Sequence, residues 1–148
     1  MIIKGPYQTV VTKEDLRRLG ENNPKVHGEG PFTDEDLEGH PMLGQYTIYI
    51  VEVFSTVTTD EMLKVLDENN LKSATVDHLV MFPRYKHPEV KFPIAVLQSP
   101  GSSGWTNPEG RLLCPVAEVT PDGRGLVIDG HPIDESWKGT NRFFALPK

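Results

Sequence analysis

"GQYTIYIVEVF", residues 44–54, decides how the rest of the chain is read. Its residues are β-branched or aromatic almost throughout, the side chains that suit a pleated surface. Both of its faces are apolar. A strand at the margin of a sheet alternates apolar and polar, so this pattern predicts a central strand covered on both sides.

The segment that follows, "STVTTDEMLKVLDENN" over residues 55–70, changes period. Thr58 and Glu61 stand at capping-box spacing, where a hydroxyl accepts from an early helix amide and a carboxylate reaches back to the cap. Met62, Val65 and Leu66 fall on one helical face, and Asn69-Asn70 suits a left-handed stop. A second short helix is predicted after Thr75, with Val76, Leu79 and Val80 as its buried stripe and Pro83 limiting its length. "FPIAVLQ" then reads as a short buried strand ending at "SPGSSG". From Arg111 the chain reads as β structure: "RLLCPVAEV" as a strand, "TPDGRG" as a hairpin turn, "LVID" as the returning strand, "GHPIDESWKGTN" as a loop and "RFFAL" as the last strand.

Toward the N-terminus, Tyr7, Thr9 and Val11 alternate as a short strand. Thr12 caps a brief helix over "KEDLRRL", with Asp15 at the third helical position. Residues 21–44 are dense in Gly, Pro, Asn and acid, and read as a surface loop within a single domain of residues 1–148. Thr12 to His40 contains eight acids and four bases, so most of the net charge of -6 originates there. Helices gathered ahead of a strand-rich half predict an α+β domain: two or three short helices on a mainly antiparallel sheet.

Composition narrows the function. The acidic balance and the lack of a Lys/Arg cluster argue against nucleic-acid binding. The single cysteine, Cys114, allows no intrachain disulfide and no cysteine-based zinc site, and reads as a buried small hydrophobe. No stretch reads as a signal peptide or a membrane span, so a soluble, cytoplasmic protein with no membrane partner is expected.

Residues 46–148 resemble a family of short bacterial proteins of uncharacterised function. In that family a helix ends at "GLRPAT", a Leu-rich helix and a "YPE" break follow, then "FPIVALGS", and the chain closes on "RFLAV". The matching stretches here are "NLKSATVDHLVMFPRYKHPEV", "FPIAVLQSP", "RLLCPV" and "RFFALPK". The capped helix, the Trp/Gly/Asn loop and the aromatic last strand also resemble C-type-lectin-like domains of the formylglycine-generating-enzyme and retroelement variable-protein type. That resemblance implies a terminal strand that closes the domain near the first strand, with a ligand face on the loops before it. The chain lacks the lectin cysteine pairs and a Glu-Pro-Asn calcium triplet, so calcium-dependent sugar binding is not part of the expectation.

No residue is assigned a catalytic or metal-ligating role, and no cofactor is implied. "SPGSSG" lacks the strained Ser turn of a hydrolase, and the glycines run into Trp105 and Pro108 rather than a phosphate-binding helix. His27, His40, His78, His87 and His131 include no pair at zincin spacing. Two loops, "GSSGWTNPEG" and "DGHPIDESWKGTN", instead combine rigid aromatics with adaptable polar groups. Trp105, Asn107, Glu109, Asp134, Trp137 and Asn141 are therefore the candidate ligand-binding residues of a non-enzymatic binding module, its partner a protein or a small polar ligand. Each Trp has a competing assignment as a cover on the core edge, and Arg142 one as an ion-pair anchor for the last strand. Two other functions stay open: a small hydrolase with a His/carboxylate site, and a phage or mobile-element accessory protein that binds a host protein through its acidic face.

Overall fold

The computed structural model describes residues 1–15, 43–82, 84–98, 106–123 and 125–148. The predicted 21–44 loop, the later part of the first predicted helix, and the "SPGSSG" turn with Trp105 lie outside the described residues, apart from Leu43 and Gly44. What is described is α+β. Seven strands form one sheet: β1 (Ile2–Val11), β2 (Gly44–Val53), β3 (Leu71–Ser73), β4 (Ile94–Ala95), β5 (Leu113–Val119), β6 (Leu126–Pro132) and β7 (Asn141–Pro147). The spatial order is β1-β2-β7-β4-β5-β6, with β3 also paired to β7. All pairings are antiparallel except β4 with β7.

The strand at residues 44–53 is central, between β1 and β7. Its doubly apolar pattern has a direct cause: both faces of the sheet are covered. On one face Ile48, Ile50, Ile94, Val96 and Phe144 pack with Leu79 and Phe82. On the other, Val51, Val53, Ala95, Phe143 and Ala145 pack with Met62, Leu66 and Trp137. Helix α1 (Thr59–Glu68) supplies Met62 and Leu66, and helix α2 (Val76–Met81) supplies Leu79. Burying each such side chain contributes about 1.5–3 kcal/mol.

Local signals hold where they rest on caps and turns. Thr58 and Glu61 close a capping box on α1: the Glu61 amide donates to Thr58 Oγ1 at 3.1 Å and the Thr58 amide to Glu61 Oε1 at 3.2 Å. Asn69 Nδ2 donates to the Val65 carbonyl at 2.8 Å, and Asn70 has φ 58°, the left-handed stop. Thr12 and Asp15 form the same reciprocal pair at residues 13–15, and Lys86 reaches Asp15 at 2.9 Å. On α2 it is His78 that takes the acid's role, its Nδ1 accepting from the Thr75 amide at 3.0 Å. In the 120–125 hairpin the Thr120 amide donates to the Gly125 carbonyl at 3.0 Å. Arg142 meets Glu52 across the β2–β7 pair at 3.4 Å, with Lys4 on the same carboxylate at 2.7 Å.

Two boundaries move and one strand is new. The first strand begins at Ile2, because "GP" makes a bulge rather than an end: the register shifts between Lys4 and Tyr7. Gly5 sits there at φ 112°, where an added Cβ would come within 3.0 Å of the Ile48 carbonyl oxygen. Strand β6 runs on through Gly130, His131 and Pro132, which had read as loop. It is an edge strand, so the missing Pro N–H breaks no ladder on the outer side. And β3, three residues after α1, was not foreseen.

Candidate functional site

Strand β7 has β2 along one edge. On its other edge it carries two short strands end to end. Ala95 of β4 pairs with Phe143, and Leu71–Ser73 of β3 pair with Pro147–Ala145. The two strands arrive from opposite directions and cannot both continue, so the sheet forks. One arm is β3. The other is the chain leaving β4, which follows β5: the Val96 amide donates to the Pro115 carbonyl at 3.0 Å. Ser73 bridges the arms at the apex. Its Oγ accepts from the Leu97 amide at 2.8 Å and donates to the Ala74 carbonyl at 2.9 Å. A side chain thus supplies the partner that a ladder would have supplied.

The open fork is a cleft of about 580 Å³. Leu63, Leu66 and Leu71 line it from the α1 side, and Val96, Leu97 and Pro115 from the other arm. Its polar groups come from Asp67, Lys72, Ser73, Thr75, Gln98 and Lys148. Lys148 forms an ion pair with Asp67 of α1, both side chains exposed, and its backbone amide donates to the Asn70 carbonyl at 3.2 Å. Lys72 is exposed on β3. Cys114, next in sequence to the lining residue Pro115, is fully buried, and that burial pushes its thiol up against the pull of hydrogen bonds to the Gln98 backbone and the Thr59 side chain.

The residues nominated from the sequence divide into three places, with Trp105 outside the described residues. Asn107, Glu109 and Asp134 come together at the end of the sheet where β5 begins and β6 ends. Asn107 organises a tight turn, its Oδ1 accepting from the Glu109 amide at 3.1 Å and the Arg111 amide at 2.8 Å. Arg111 joins this turn to the other loop: its Nη2 donates to Asp134 at 2.8 Å and to Glu135 at 3.2 Å. The Arg111 hydrogen bond also holds the Asp134 carboxyl below its ordinary range. Glu109 is exposed.

Trp137 is not on this surface. It is 4% exposed, stacked on His131 with ring centroids 3.8 Å apart and edge-on to Phe143, and its Nε1 donates to Thr59 Oγ1 at 3.0 Å. The competing core assignment is the one its geometry meets. Asn141 lies at the opposite end of the sheet, since it starts β7 while the loops lie near that strand's finish. Its amide group donates to the Lys138 carbonyl at 3.1 Å and tightens a turn.

The three described histidines stay apart. His78 caps α2 and lies edge-on to Tyr46, His87 stacks on Phe82, and His131 covers Trp137. Among the described residues no group of three His, Cys, Asp or Glu side chains is placed to hold a metal ion. No helix among them is long and apolar enough to cross a membrane. Sequence reasoning missed the cleft residues and Arg111. No local motif marks them, because the fork exists only where residues 71–73 meet residues 145–147. No family, curated protein or solved structure matches this chain.

Proposed function

We propose that the chain is a non-enzymatic binding module whose site is the fork cleft, and that its ligand is a small molecule with apolar and polar parts. The observation that carries this reading is the cleft itself, about 580 Å³, with an apolar lining and a few polar groups around it. Ligand sites of small molecules have this size and make-up, roughly 300–1,000 Å³. Binding is favoured over catalysis by the chemistry of the lining. Its ionisable groups are Asp67, Lys72 and Lys148, all exposed, and Lys148 is already paired with Asp67. The paired loops of Asn107, Arg111 and Asp134 stand toward the same end of the sheet.

A C-type-lectin-like arrangement belongs to the proposal on narrower ground. What supports it is a terminal strand inside the sheet, separated from β1 only by β2, and the meeting of Asn107 and Asp134 at one end. The cytoplasmic setting expected from the sequence is kept with it.

A fragment screen by protein-observed NMR tests the binding reading. Hits should shift the amides of Lys72, Ser73, Val76, Leu97 and Gln98. Leu63→Trp, a change on the half-buried wall of α1, should abolish those shifts while the rest of the spectrum stays native. Hits that map elsewhere, or none at all, would refute it.

A further inference from the structure

Resting on that binding reading, we infer that the fork takes a short extended peptide, which adds a strand to the free edge of β3. Three observations lead there.

The first is a row of backbone groups. Antiparallel pairing turns the N–H and C=O of alternate residues to opposite sides of a strand. Two bonds fix which residues face β7: the Lys148 amide donates to the Asn70 carbonyl at 3.2 Å, and the Ala74 amide to the Phe144 carbonyl at 3.1 Å. Lys72, opposite Leu146 and between these two, turns to β7 by the same alternation. Leu71 and Ser73 therefore turn their backbone groups away from β7, into the fork. Among the described residues those N–H and C=O groups have no partner, although Leu71 is only 6% exposed. They make two donor–acceptor pairs about 6.6 Å apart, the two-residue repeat of a strand. An extended peptide presents the complementary pairs at the same repeat, and backbone groups this enclosed call for such partners.

The second is room for side chains on both faces. Successive side chains of an added strand point to opposite faces of the sheet. Leu63, Leu66, Leu71 and Leu97 wall the fork on the α1 face, and Ala74 and Val96 on the α2 face. Alternate residues of the peptide thus both meet apolar surface. The third is the contrast with the two outer edges of the sheet. Strand β1 is interrupted by its bulge at Gly5-Pro6, and β6 ends on Pro132. Bulges and prolines blunt an edge against pairing. Strand β3 carries neither, and all three of its residues line the cleft. Recognition of this kind runs through backbone groups, so the charges of Asp67, Lys72 and Lys148 take no part in it.

The test uses acetyl-Val-Leu-Val-amide, which is uncharged, and the same peptide with its backbone amides N-methylated. Each is titrated into the full chain and followed by NMR. The plain peptide should shift the amides of Leu71, Ser73 and Leu97. At saturation, amide exchange at Leu71 and Ser73 should slow about tenfold or more, while Lys72, already in the ladder with β7, should not change. The methylated peptide should bind about tenfold more weakly, having lost its donors. Lys72→Gln, an exposed change, should leave the affinity within about twofold. Equal binding of the two peptides in the cleft, or binding with no slowing at Leu71 and Ser73, would overturn the strand pairing and leave the binding reading standing. So would fragment hits in the cleft with no peptide bound there, or peptide shifts that map to β1 or β6. Failure of the binding reading has its own signature, the absence of any fragment or peptide hit in the cleft, and it overturns both.

Discussion

Replacing Trp137 tests whether its ring is core or surface, and the magnitude follows from its surroundings. The indole is 4% exposed between His131, Phe143 and the α1 residue Thr59. A buried tryptophan removes up to about 250 Å² from water, a ceiling near 6 kcal/mol at about 25 cal/mol per Å². Partial collapse around the cavity brings the expected loss for Trp137→Ala to about 3–5 kcal/mol. That is a large share of the roughly 5–15 kcal/mol available to a domain. At about 2–4 °C per kcal/mol, melting should fall by about 6–20 °C. Trp137→Phe keeps most of the ring but loses the Nε1–H donor to Thr59, and should cost about 2 kcal/mol. A cycle with Thr59→Val should show a coupling of about 1 kcal/mol, because the pair shares one buried hydrogen bond. Urea unfolding followed by circular dichroism gives all three values. A loss below about 1 kcal/mol for Trp137→Ala, with native near-ultraviolet dichroism, would refute the buried placement.

The fork, the buried carboxylate and the bulge give further predictions. Ser73→Ala removes the acceptor of the Leu97 amide and should cost about 1–2 kcal/mol; exchange of that amide should accelerate, and unchanged protection would mean Ser73 does not hold the fork. Glu52 is 6% exposed, and its carboxyl is held below the ordinary range by the hydrogen bond from Lys4, against burial and with help from Arg142. Its contribution is therefore complete above the unfolded glutamate value near 4.5 and is lost as pH falls through the lower folded value. Glu52→Gln should cost about 1–2 kcal/mol at neutral pH, and the gap from wild type should close in acid unfolding curves; a gap constant down to pH ~2 would contradict the pairing. Gly5→Ala should cost about 1–3 kcal/mol in urea titrations, since alanine strains at φ 112° and its Cβ meets the Ile48 carbonyl; a neutral effect would show that the bulge relaxes freely.

Much of the fold is legible in short stretches whose signal is local. The central place of β2 follows from its two apolar faces, α1 follows from Thr58, Glu61 and the Met62/Leu66 spacing, and the 120–125 hairpin follows from its Pro-Asp-Gly turn. The misreadings share a cause. "GP" near residue 5 has the composition of a turn and acts as a bulge, because β2 supplies a partner on both sides of it. "GHP" at residues 130–132 has the composition of a loop and acts as strand, because β6 is an edge. Trp137 sits among Gly, Ser, Lys and Asn, as a paratope aromatic would. What buries it is Thr59, Phe143 and His131, none of them its immediate neighbours.

The candidate site shows the same division more strongly. Asn107, Glu109 and Asp134 were nominated from loop composition, and two of these loop positions are tied together by Arg111, a residue with no motif around it. The cleft had no sequence signal at all. Leu63, Ser73, Leu97 and Lys148 are unremarkable one by one.

By itself, the sequence determined the types of the longer elements, their caps and turns, and the need for two covered faces, because periodicity and hydrogen-bond chemistry act within a few residues. Only the tertiary structure decided that β3 and β4 share one edge of β7. Those pairings join residues between about 50 and 75 positions apart, and they leave a gap in the sheet.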